Sequence, residues 1–139
     1  MKRALVLLVL LTLAGPALAQ QRAAPRAPEP APAAPAPEID PLYQPRLERL
    51  AEVLGSLHHL RPLCVPSEAQ TWRAEMQALI EAEQPGQNRR DRLVAAFNRG
   101  ILGLRDVHRT CTPAARLASD RYREEGSALV RDLVARFSN

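Results

Sequence analysis

From about Leu42 onward, apolar positions recur at three- and four-residue steps, and no segment alternates strictly between apolar and polar. Helices are therefore expected and strands are not. The first run, Leu47, Leu50, Leu54 and Leu57, predicts one apolar stripe on a helix from about Leu42 to Arg61. Pro45 is tolerated in its first turn, and Pro62 disfavours helix at Arg61, so an end or a kink is expected there. Ser67 reads as an N-cap, with Gln70 completing a capping box. It opens a second helix from about Glu68 to Glu83, with Trp72, Met76, Leu79 and Ile80 on one face. Pro85-Gly86 stops that helix, and Asn88 can cap a third.

The third helix is expected from about Arg89 to Arg109, with Leu93, Phe97, Ile101 and Leu104 as its stripe. His108 and Cys111 extend the stripe if the helix persists. Gly100 and Gly103 cost helix propensity, about 1 kcal/mol each against Ala, and small residues there let another helix come close. Thr112 then caps a fourth helix from about Pro113 to Phe137, with Pro113 at its favoured first position. Its stripe is Ala118, Tyr122, Leu129, Leu133 and Phe137. Arg116 with Asp120, Arg121 with Glu125, and Asp132 with Arg136 are opposite charges at i, i+4 on a solvated face.

Short connections favour antiparallel neighbours. The predicted fold class is all-α, a small up-down four-helix bundle. In such a path the first and third connections lie at the same end. Leu63-Cys64-Val65-Pro66 occupies the first and Thr110-Cys111-Thr112-Pro113 the third, and they hold the only two cysteines. The topology therefore predicts a Cys64–Cys111 disulfide as the staple of the domain.

Residues before the helices change the setting. Lys2 and Arg3 precede an apolar run from Ala4 to Leu13, too short to span a bilayer comfortably. Ala17-Leu18-Ala19 follows Pro16 with the small-x-small pattern of a signal-peptidase site, and the cut is expected between Ala19 and Gln20. Residues 1–19 then read as a cleaved signal peptide, and the location as periplasmic. Residues 20–40 are an Ala/Pro-rich linker, with Ala31-Pro32-Ala33-Ala34-Pro35-Ala36-Pro37 favouring extended polyproline II over any core. Residues 41–139 form the helical domain. The later helices are all interrupted by charge, so no transmembrane segment is expected after signal removal. In an oxidising compartment two cysteines form a lasting bridge.

Charge narrows the partners. Signal removal takes Lys2 and Arg3, half of the formal net charge of +4, and every remaining basic residue is arginine. Compartment and near balance both argue against nucleic acid. Arg105, Arg109, Arg116, Arg121 and Arg123 surround Cys111, and Arg61 precedes Cys64. The topology gathers them at one end, where guanidinium groups suit carboxylates or phosphates. An acidic envelope protein or an anionic envelope polymer is the expected partner. The competing reading pairs them internally with Asp106, Asp120, Glu124 and Glu125.

Several stretches together resemble an uncharacterised family of small exported alphaproteobacterial proteins with two well-separated cysteines, a domain of unknown function. They are Leu50-Ala51-Glu52-Val53-Leu54-Gly55-Ser56-Leu57-His58, Leu60-Arg61, Cys64, Thr71-Trp72-Arg73, Asn98-Arg99-Gly100 and Arg109-Thr110-Cys111-Thr112. The similarity spans most of Leu42 to Arg136. It implies a periplasmic setting, a disulfide and no assigned activity, and it brings no catalytic residue to carry over.

Candidate chemistry is sparse. His58 and His108 lie six and three residues before the two cysteines, which suggests similar depth near the bridge. Adjacent His58 and His59 point about 100° apart and cannot readily face one ion. Bridged cysteines are not thiolate ligands, and two histidines do not fill a zinc site. A metal-binding protein using His58 and His108 is the alternative reading, beside hydrogen-bonded structural histidines. No Cys-x-x-Cys marks a redox site, and a reactive disulfide would require a strained bond. No Gly-x-Ser-x-Gly or His-Glu-x-x-His occurs. Ser67 and Thr112 are better explained as caps, and Glu81, Glu83, Glu124 and Glu125 as solvated residues. Trp72 is read as core or wedged under its helix's first turn, and Arg73 as paired with an acid. No catalytic residue and no cofactor is implied. The leading reading is a non-enzymatic binding or accessory module of the cell envelope, with an envelope enzyme of unrecognised site as the other class.

Overall fold

Four α-helices carry most of residues 39–137, the part that the computed structural model describes. The signal-peptide and linker readings lie outside those residues. The helices are α1 (Gln44–Cys64), α2 (Thr71–Glu83), α3 (Gln87–Arg105) and α4 (Pro113–Phe137), with a 3₁₀ turn at Pro66–Glu68 between the first two. No strand occurs among the described residues, and the all-α class stands.

α1 is the axis, and each of the other three helices packs mainly on it. The reason lies in its middle. Leu47, Leu50, Leu54 and Leu57 are buried as their spacing requires, but so are Ala51, Val53, Gly55 and Ser56 between them. A helix covered nearly all round needs neighbours on several sides, and small residues let them come close. The Ser56 hydroxyl resolves its own burial by donating to the Glu52 carbonyl at 3.0 Å.

α3 runs parallel to α1, as contacts advance along both: Arg89 with Gln44, Arg92 with Glu48, Phe97 with Gly55, His108 with His59. The two helices touch backbone to backbone at a pair of glycines. A Cβ on Gly55 would fall 1.9 Å from the Phe97 carbonyl oxygen, and one on Gly100 would fall 2.1 Å from that of Glu52. Gly103, by contrast, has nothing within 4 Å and serves no approach.

α4 runs antiparallel to α1. Tyr43 at the start of α1 meets Phe137 at the end of α4, with ring centroids 5.2 Å apart. Arg46 pairs with Asp132 at 2.8 Å, and Arg49 grips Glu125 through two hydrogen bonds of 2.7 and 2.9 Å. The buried positions of α4 are the small ones, Ala115, Ser119 and Gly126, while Leu129 and Leu133 are only partly covered.

Several expected boundaries move. α1 continues through Pro62 to Cys64, although that ring supplies no N–H to the turn before it. The last turn closes with Val65 N–H donating to the Arg61 carbonyl at 2.8 Å. Ser67 is not a cap. It lies in the 3₁₀ turn, and α2 starts later, at Thr71, behind Gln70 with no side-chain cap. Asn88 sits inside α3, whose N-cap is Gly86. α2 ends at Glu83 as expected, and Gln84 behind it takes the left-handed conformation, φ 43°, unusual without glycine. Its side-chain amide donates to the Glu81 carbonyl at 2.6 Å, which supports that turn. α3 stops at Arg105, so His108 and Cys111 lie beyond it. α4 begins where expected, with the Thr112 hydroxyl accepting from Ala115 N–H at 3.1 Å. Asp132 does pair with Arg136, but Glu125 turns to Arg49 rather than Arg121, and Asp120 meets Arg123 at 3.7 Å.

Candidate functional site

Two surfaces stand out, one at the disulfide end and one along α1. Cys64 closes α1 and Cys111 immediately precedes the cap of α4, and the two are joined with Cα atoms 4.9 Å apart. The bond ties the exit of one helix to the entry of another across a separation of 47 residues. In the chain-entropy description a loop of that length stabilises by about 4 kcal/mol.

The arginines divide by environment. Arg61 is committed within the fold: its guanidinium holds both oxygens of Glu68, which also accepts from Trp72 Nε1 at 3.1 Å. This arrangement ties the end of α1 to the start of α2, and the Arg61 hydrogen bond holds the Glu68 carboxyl below the usual carboxylate range. Arg105 and Arg109 both approach Asp106, each at 3.9 Å, with side chains 58% and 76% exposed. Arg123 stands 3.7 Å from Asp120. Arg116 and Arg121 are exposed and make no ion pair among the described residues. Arg116 joins Arg61, Cys64, Ser119 and Asp120 around a cavity of about 220 Å³ beside the bridge. The Ser119 hydroxyl is buried there with no hydrogen-bond partner in the described structure.

The histidines do not assemble as a ligand set. His59, not His58, meets residue 108, and its Nε2 lies 2.7 Å from the His108 backbone carbonyl, which fixes it as the protonated donor nitrogen. His58 lies against Phe97 with ring centroids 5.6 Å apart. Burial pushes its pKa below 6.5, with the nearby positive charges of Arg73 and His59 adding to the shift. Arg73 makes no ion pair among the described residues. No group of three or more His, Cys, Asp or Glu side chains converges among them either. No described helix is long and apolar enough to cross a membrane.

The second surface is a trough that the sequence reading missed. α2 and α4 flank α1 but barely meet each other, so part of α1's apolar stripe is the floor of an open groove. Two cavities of about 500 and 300 Å³ follow one another along it and share Leu50 and Val130. Trp72 and Leu79 stand on the α2 wall; Gly126, Val130 and Val134 stand on the α4 wall. Tyr43 and Phe137 close the far end. One signal was present: Val130 and Val134 adjoin Leu129 and Leu133, and together they widen α4's apolar face beyond what α1 alone covers. They remain 46% and 58% exposed.

A family model described as "Protein of unknown function (DUF2385)" matches residues 42–137. No curated protein and no solved structure matches the chain.

Proposed function

Because the chain belongs to DUF2385, a family described only by its unknown function, we propose a role from its own surface: an exported, non-enzymatic binding module that contacts an acidic protein of the cell envelope. The observation that carries this reading is the exposure of Arg105, Arg109, Arg116 and Arg121, with Arg116 beside the Cys64–Cys111 bridge and only long contacts to acids at the first two. Exposed pairs at such distances contribute little to stability, so these guanidinium groups remain available to a carboxylate-bearing partner. Arg61 supports the end of the bundle and is not counted among the contacts. Arg123 faces the trough and belongs to its wall.

Export is part of the same reading. The Lys2-Arg3 start, the apolar run and the Ala17-Leu18-Ala19 site favour cleavage before Gln20 and delivery to the periplasm. A disulfide that closes a long loop fits an oxidising compartment. The Ala/Pro segment would then act as a semi-rigid spacer ahead of the helical domain.

The test is capture from an envelope fraction with wild type and with an R105E/R109E/R116E chain, read across increasing salt. The wild type is expected to retain an acidic protein and to release it as salt rises, while the variant fails to retain it. Equal retention by both chains would overturn the assignment, and retention of an anionic polymer alone would replace protein as the partner.

A further inference from the structure

We propose that the trough between α2 and α4 receives an amphipathic helix from a partner protein, about three turns long, with a basic flank against α2 and an acidic flank against α4. The site is separate from the arginine-bearing end and does not depend on it.

Length comes first. The floor runs from Leu47 to Leu57 on α1, about 15 Å at the rise of an α-helix, which matches about three turns of a partner helix. Backbone chemistry comes next. The described residues offer no strand edge, so an extended peptide would find no ladder of main-chain groups to pair with. A helix satisfies its own backbone and needs only side-chain contacts, which is what an apolar floor supplies. Aromatic rings stand only towards the ends, at Trp72 and at Tyr43 with Phe137, and the middle is aliphatic. That disfavours a proline-rich ligand, which stacks on aromatic grooves.

Charge sets the flanks. Glu75 on the α2 wall is exposed and makes no ion pair among the described residues. Arg123 on the α4 wall is 54% exposed, and its nearest carboxylate, Asp120, is 3.7 Å away. The walls are thus of opposite sign across an apolar floor, and a helix with Leu-type residues at i, i+3, i+4 and i+7 and unlike charges on its two flanks complements both. A fatty acid would use the floor and, through its carboxylate, Arg123 alone, leaving Glu75 unmatched. A second copy of this chain does not supply such a face: the exposed apolar residues outside the trough, Ile39 and Leu42 ahead of α1, Val94 and Leu102 on α3, Val107 after it and Leu117 on α4, form no i, i+3, i+4, i+7 stripe on one helix.

Trp72 is the only tryptophan and lines the trough, so its emission reads occupancy directly. The experiment titrates the mature chain with three synthetic helical peptides sharing one apolar stripe. Their flanks are Lys on one side and Glu on the other, Lys on both, or Glu on both. The mixed peptide is expected to shift Trp72 emission saturably and to bind about five-fold tighter than either uniform one, the scale of an exposed charge pair. In E75K, which makes the two sides of the larger cavity basic, the Glu-flanked peptide becomes the tightest. V134D, at an exposed position where folding is not at stake, weakens all three. Indifference to flank charge, no emission change, displacement of the mixed peptide by decanoate at equal concentration, or a sedimenting dimer that blocks the titration would each overturn the proposal.

Discussion

His58 is held against Phe97 with its Nδ1 buried and without a hydrogen-bond partner in the described structure. Burial, then Arg73 and His59, depress its pKa below 6.5 in the fold. As pH falls, the unfolded chain therefore takes up the proton first, and unfolding is favoured. His58's contribution to stability is complete above about pH 6.5 and is lost as pH falls through that value toward the folded pKa. Denaturation midpoints measured across this window should fall with acidity, and His58→Gln should flatten that dependence. An unchanged slope would show that His58 titrates alike in both states. The sequence made both His58 and His59 visible but not their roles, because adjacent helical residues face different neighbours. Only packing shows which of them meets α3's ring and which reaches the His108 carbonyl.

At the scale of elements, helix existence followed from periodicity, and the boundaries failed where local chemistry competes. Pro62 predicts an end or a kink, and the helix runs through it to Cys64, its last turn anchored by Arg61 on Glu68. Ser67 and Asn88 are residue types that cap helices, yet a 3₁₀ turn and Gly86 occupied those roles. Thr112 was read correctly because Pro113 marks the first helical position unambiguously. The glycines test the packing of one element on another. Gly100→Ala forces a Cβ into the backbone of Glu52 and Ser56, a contact that rigid helices cannot relieve without separating. A loss of about 1–3 kcal/mol is expected by chemical denaturation, the range of overpacking. Gly103→Ala meets open space and should gain up to about 1 kcal/mol of helix propensity. Equal effects at the two positions would contradict the close approach of α1 and α3.

At the scale of the molecule, the up-down path could be derived from connection lengths, and it correctly placed Cys64 beside Cys111. The central position of α1 could not be derived, because its sequence shows one leucine stripe while the burial of Ala51, Val53, Gly55 and Ser56 depends on where three other helices land. The trough escaped for the same reason: it exists because α2 and α4 stay apart. Of the arginines, the sequence named the residues, whereas the engagement of Arg61 with Glu68 and the place of Arg123 on the trough wall required coordinates. The bridge brings two helix ends together, and the proposed export supplies the oxidising setting in which it forms. Its most direct test is the intact mass, without reductant, of the full-length chain expressed with its own N-terminal segment and recovered from the periplasm. The predicted result is a chain beginning at Gln20 and lighter by two hydrogens than its dithiol form. Two free thiols that alkylate in the freshly isolated protein would contradict it.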